Sequence, residues 1–114
     1  MDQQIRTTMR MSDDIAVIDI EGDMTSSSYE VIEQAYGEVS GKGHKKILLS
    51  FREGDYINSA GIASIIELVL ESKKGEGVVR IAHPSAHSRR LFTLVGLSQH
   101  VQVFPSDTEA LKDF

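Results

Sequence analysis

The residues best placed to do chemistry are Asn58 and Ser59, a polar pair that runs straight into an apolar series at Ile62, Ile65, Ile66, Val69 and Leu70. That series repeats as i, i+3, i+4, i+7 and i+8, which lines one face of an α-helix. Ser59 is expected at the N-cap, where a short hydroxyl side chain accepts from the free amides of the first turn. A hydroxyl there is half exposed. Any phosphate added to it would meet the positive end of the helix dipole.

The other chemistry-bearing residues carry less. His83 and His87 stand four apart, the spacing of metal ligands on one helix face. Pro84 lies between them, however, and His83 is expected to precede the helix. Arg89-Arg90 reads as a solvated helix face. Gly37 to Lys42 has glycines and a lysine like a phosphate-binding loop, but it is one residue short between the glycines and follows a helix rather than a strand. Asp13-Asp14 and Glu53-Gly54-Asp55 fall in turns, with no histidine or further acid to divide acid and base roles. No nucleophile, base and orienting group come together. Neither a catalytic residue, a metal nor a cofactor is expected, and the protein is expected not to be an enzyme.

These residues need elements to hold them. Lys46 to Phe51 alternates as a buried strand and leads through a loop into the helix that starts at Ser59. Upstream, Gln4 to Met11 is a weak strand, and Ser12-Asp13-Asp14 turns it into the stronger strand Ile15 to Ile20. Ser27 with Glu30 fits a capping box for a helix whose inner face holds Ile32, Ala35, Tyr36 and Val39. Downstream, Lys73, Lys74 and Gly75 stop the central helix, and Val78 to Ala82 forms a short strand. Pro84 is placed in the first turn of the next helix, with Leu91, Phe92 and Val95 inward and Gly96 as its stop. Val101 to Phe104 is the last strand, and Ser106 with Glu109 caps a final helix facing inward at Ala110, Leu111 and Phe114. The predicted order is β-β-α-β-α-β-α-β-α. That order implies an α/β fold: a mixed, mostly parallel sheet with an initial antiparallel hairpin and about four helices.

Composition narrows the class. A chain of 114 residues suits one domain with a single core. Apolar content of 40% and charged content of 25% are ordinary for a globular protein. With no cysteine, disulfides and thiolate metal sites are excluded. No stretch is long and apolar enough to span a bilayer, and no signal-peptide pattern opens the chain, so a cytoplasmic location is expected. A net charge of -5 argues against general nucleic-acid binding and accords with protein partners.

Tyr56-Ile57-Asn58-Ser59-Ala60-Gly61-Ile62 resembles the loop-to-helix signature of STAS domains, and among them the bacterial anti-sigma factor antagonists. Three other stretches look like that family: Gly22 to Thr25, Arg90-Leu91-Phe92 with Val95-Gly96-Leu97, and Val101 to Ala110. The resemblance covers nearly all of the chain as one STAS domain, 1–114. It implies a non-catalytic regulatory protein that binds an anti-sigma factor of the serine protein kinase type. It also implies phosphorylation of Ser59 as the switch, reversed by a serine phosphatase. The implied partner surface is Met24, Thr25, Ser26, Asn58, Ser59 and Ile62. Two positions depart from the family's usual acids: Asn58 before the serine, and Thr25 after the glycine turn. Both keep hydrogen-bonding capacity and lose the charge. Two other roles fit the same fold: a STAS scaffold subunit of a signalling assembly, and a small-ligand or nucleotide-binding module at the strand C-termini.

Overall fold

The computed structural model describes residues 5–25, 28–52 and 57–114. The hairpin comes first, with β1 (Arg6–Ser12) antiparallel to β2 (Ile15–Glu21) and Arg6 opposite Glu21. Asp13 turns the chain with a φ of 53°, a left-handed conformation that aspartate tolerates better than most residues. The elements that follow are α1 (Tyr29–Gly41), β3 (Lys46–Ser50), α2 (Ser59–Lys74), β4 (Val78–Ala82), α3 (Ala86–Leu94), β5 (Gln102–Phe104) and α4 (Asp107–Ala110). A 3-10 turn at Leu97–Gln99 joins α3 to β5. Among the described residues the sheet has five strands in chain order, and every pairing after the first is parallel. The expected α/β architecture is the observed one.

Strand alternation divides the apolar residues between two faces of the sheet. Ala16, Ile18 and Ile20 of β2, Ile47 and Leu49 of β3, and Val79 and Ile81 of β4 pack under the helices. There they meet Ile32, Ala35 and Val39 of α1 and Ile62, Ile65, Leu68 and Val69 of α2. Each large side chain buried in this way contributes about 1.5–3 kcal/mol. Ile15, Val17, Leu48 and Ala82 point to the opposite face, where Ala110 and the flanking Phe104, Leu111 and Phe114 cover them. β2 and β3 therefore bury both faces, which explains their unbroken apolar runs.

Arg80 fastens that second cover. It extends from β4 with its guanidinium 5.1 Å from the Phe104 ring centroid and 4.5 Å from that of Phe114. Its Nη1 donates to the carbonyls of Ala110 and Lys112 at 3.0 and 2.7 Å, and Nη2 donates to that of Asp113 at 2.9 Å. One side chain thus caps the C-terminal end of α4 and stacks on two rings.

Several local expectations are corrected. Leu70 was placed inward on α2 but is 46% exposed; Leu68 faces the core instead, because α1 covers that flank of the helix. Val95 was placed inward on α3 but follows the last helical residue and is also exposed. α3 starts at Ala86, with the Ser85 hydroxyl accepting from the Ser88 amide at 3.1 Å, so Pro84 lies ahead of the helix rather than in its first turn. Ser28 stands at the N-cap position of α1 without a side-chain capping bond, and the expected pairing of Ser27 with Glu30 falls on Ser27, which lies outside the described residues. Gly96 ends α3 as expected, with a φ of 79° that glycine adopts at no steric cost. Ser106 accepts from the Glu109 amide at 3.2 Å, also as expected.

Candidate functional site

The site forms where the turn after β2 meets the start of α2. Met24 and Ile57 make an isolated parallel bridge, and the Asn58 amide donates to the Met24 carbonyl at 3.1 Å. One further contact fixes the approach. A β-carbon on Gly61 would overlap the Met24 carbonyl oxygen and lie 2.7 Å from the carbonyl carbon. Only glycine lets the first turn of α2 rest against the backbone of the preceding turn.

Ser28 shapes the other side. Its hydroxyl accepts from the Thr25 amide at 2.9 Å and donates to the Asp23 carbonyl at 3.4 Å, and its own amide donates to the Thr25 carbonyl at 3.0 Å. These bonds close the turn and present Thr25 beside the start of α2.

Here the cap expectation is corrected. Asn58, not Ser59, is the N-cap: its Oδ1 accepts from the Gly61 amide at 2.9 Å, with the extended backbone of a capping residue. Ser59 is the first helical residue, exposed, and its hydroxyl is left out of the cap. The sequence offered two adjacent capping side chains. The amide of Asn58 reaches its partner once Asn58 is anchored to Met24.

Of the six residues expected to form a partner surface, Thr25, Asn58 and Ser59 reach the surface around this junction, and Ser59 is the most open. Met24 and Ile62 join them in space, but both side chains are buried at 0% and 2% exposure. They make the floor that sets the positions of the others. Ser26 lies outside the described residues. The reading of sequence alone missed Gly61 as a structural part of the site; a glycine in the first turn of an otherwise apolar helix was the available signal.

The remaining candidates stay apart. His83 follows β4 and His87 is in the first turn of α3. Among the described residues no group of His, Cys, Asp or Glu could hold a metal ion. Arg89 and Arg90 are exposed on α3. No described helix is long and apolar enough to cross a membrane.

The STAS domain profile matches residues 6–110. The chain belongs to the STAS domain family. A Bordetella bronchiseptica STAS relative, named as a candidate anti-sigma factor antagonist, BtrV, is 23% identical over 101 residues, covering 89% of this chain and 84% of its own length. The crystal structure of an anti-sigma factor antagonist from Mycobacterium paratuberculosis superposes with a TM-score of 0.82 at 20% identity, covering 95% of this chain and 92% of that one. The Bacillus cell fate determinant SpoIIAA, in its phosphorylated form, superposes with a TM-score of 0.66 at 17% identity over 93% of this chain and 96% of that one. At such identities the structures establish the shared fold. In this STAS domain an exposed serine stands at the start of α2.

Proposed function

We propose that this protein is a regulatory STAS module that binds an anti-sigma factor through the junction of the β2–α1 turn with the start of α2. The observation that carries the reading is the division of labour at that start: Asn58 caps the helix, so Ser59 is free to be modified without removing a cap. Likeness to relatives named as anti-sigma factor antagonists supplies the class of partner.

In this reading the partner is a serine protein kinase that holds the ATP. The Ser59 oxygen attacks the γ-phosphorus, the bond to the β-phosphate oxygen breaks, ADP leaves, and the hydroxyl proton passes to a base of the kinase. The product carries about -1.5 to -2 extra charge at the centre of the contact surface. A surface shaped around a hydroxyl would then have to desolvate a phosphate, which costs several kcal/mol where no cation faces it. The complex separates, and a serine phosphatase resets the protein by hydrolysis. The module itself has no turnover. Thr25, Asn58 and Ser59 form the contact, with Ser26 included by family resemblance, over the fixed floor of Met24 and Ile62.

The test uses wild type, Ser59→Ala and Ser59→Glu as baits in native lysate, with captured proteins identified by mass spectrometry. A protein kinase recovered by wild type and Ser59→Ala, lost with Ser59→Glu, and able with ATP to add one phosphate at Ser59 is the expected result. Equal recovery of that kinase on all three baits, or phosphate placed on another residue, overturns the reading.

A further inference from the structure

Between α1 and α2 runs a groove of about 610 Å³. Ile32 and Leu68, both buried, form its floor, while Tyr29 and Leu70 stand at its mouth with 41% and 46% of their surface exposed. Glu33 of α1 and Glu67 and Glu71 of α2, all exposed, complete the walls. Lys74 closes the far end and lies 3.6 Å from Glu71, which leaves the rim acidic. Glu67 first and then Glu33 raise the Tyr29 hydroxyl above the ordinary phenol range, so the acids of both helices act on one mouth.

An apolar floor alone would be ordinary space between two helices. Large apolar side chains left open at the mouth, inside a rim with three carboxylates to one lysine, specify more. From Ser64 to Lys74 the α2 wall is about 15 Å long, room for roughly three turns of a helix. Such a helix would present two or three apolar side chains to the floor at i, i+3 or i+4, and i+7.

We propose that this groove is a docking surface for a basic amphipathic helix of a protein partner. Its apolar face packs on the exposed Tyr29 and Leu70, over the buried floor of Ile32 and Leu68, and its flanking lysines or arginines meet Glu33, Glu67 and Glu71. Charge complementarity selects this occupant over a second copy of the chain, whose net charge of -5 would be repelled by the rim. Ser59, Ala63, Glu67, Leu70 and Glu71 are all exposed at helical spacing on α2, so the groove continues the stripe that begins at Ser59. The groove's chemistry does not involve the Ser59 hydroxyl, and it stands or falls apart from the reading of that residue.

The probe is a synthetic amphipathic leucine–lysine helix of about 18 residues, long enough to span the groove with both ends free. It is titrated into the isotope-labelled full chain and followed by NMR, beside a scrambled peptide of the same composition. Expected are amide shifts centred on Tyr29, Glu33, Glu67 and Leu70, weakened by salt and absent with the scrambled peptide. Leu70→Asn and the pair Glu67→Lys with Glu71→Lys should each weaken binding about tenfold, through lost apolar contact in one case and lost charge pairing in the other. All these positions are exposed, and circular dichroism checks that the variants fold. Shifts spread over the whole acidic surface, equal binding of the scrambled peptide, or unchanged affinity in both variants would overturn the proposal. So would groove shifts that grow with protein concentration alone, since these would make a second copy the occupant.

Discussion

Gly61 meets Met24 backbone to helix, closely enough that a β-carbon at Gly61 would lie 2.7 Å from the Met24 carbonyl carbon. In an exposed helix, replacing glycine by alanine gains about 1 kcal/mol. Here the sign reverses, because backbone rather than a flexible side chain is in the way. Gly61→Ala should lower the unfolding free energy by about 1–3 kcal/mol through overpacking. Urea denaturation measures it; a variant as stable as wild type would show that the junction can open freely.

Asn58 holds the cap, so its replacement should be felt in the fold. Asn58→Ala is expected to cost about 0.5–2 kcal/mol. Asn58→Asp keeps an oxygen for the Gly61 amide and adds a charge at the positive end of α2, so it should equal or exceed wild type. Thermal melts of the two variants compare them. Were Asn58→Ala neutral while Ser59→Ala cost stability, the cap would belong to Ser59 after all.

Ser59 is predicted to change binding and leave the fold intact. A negative charge at the first helical position gains about 0.3–1 kcal/mol from the dipole, with no capping bond removed to offset it. Ser59→Glu should therefore melt within a few degrees of wild type, on the higher side, and yet lose the anti-sigma partner. Ser59→Ala should bind constitutively. Calorimetry against the captured partner and circular dichroism together decide the matter, and tight binding by both Ser59→Glu and the genuine phosphoserine form would end the switch.

Arg80 is expected to hold the C-terminal segment on the sheet. Arg80→Met keeps an apolar stem but leaves the carbonyls of Ala110, Lys112 and Asp113 without their shared donor. A loss of about 1.5–3 kcal/mol is expected from bonds made by a charged group. Hydrogen exchange should speed up at residues 110–114 before it does in β2 and β3. Unchanged protection there would show that the two rings hold the segment unaided.

The Tyr29 hydroxyl should titrate above the ordinary phenol range, first because of Glu67 and then because of the charge on Glu33. The proton is held more tightly in the folded state, so any stabilisation is present below the unfolded pKa and is lost as pH rises through the folded one. NMR of the Tyr29 ring carbons follows it, and Glu67→Gln should return the titration towards the ordinary value.

The chain by itself determined the order of elements. Period-two runs such as Lys46 to Phe51, and helical spacing such as Ile62, Ile65 and Val69, are local signals, and backbone geometry turns them into strands and helices directly. The place of the stretch around Ser59, between a strand and the start of a helix, was legible too. Which residue caps α2 was not. Asn58 and Ser59 are both competent caps, and the choice depends on the bond from the Asn58 amide to Met24, which is 34 residues away in sequence and adjacent only after β2 and β3 pair. The same holds for exposure. Leu70 and Leu68 are chemically alike, and only the flank covered by α1 puts one in the core and leaves the other at the mouth of an acidic groove. Local periodicity specifies that a helix has an apolar side; its neighbours decide how much of that side is covered, because burial is a property of packed pairs of elements and is not encoded in either one alone.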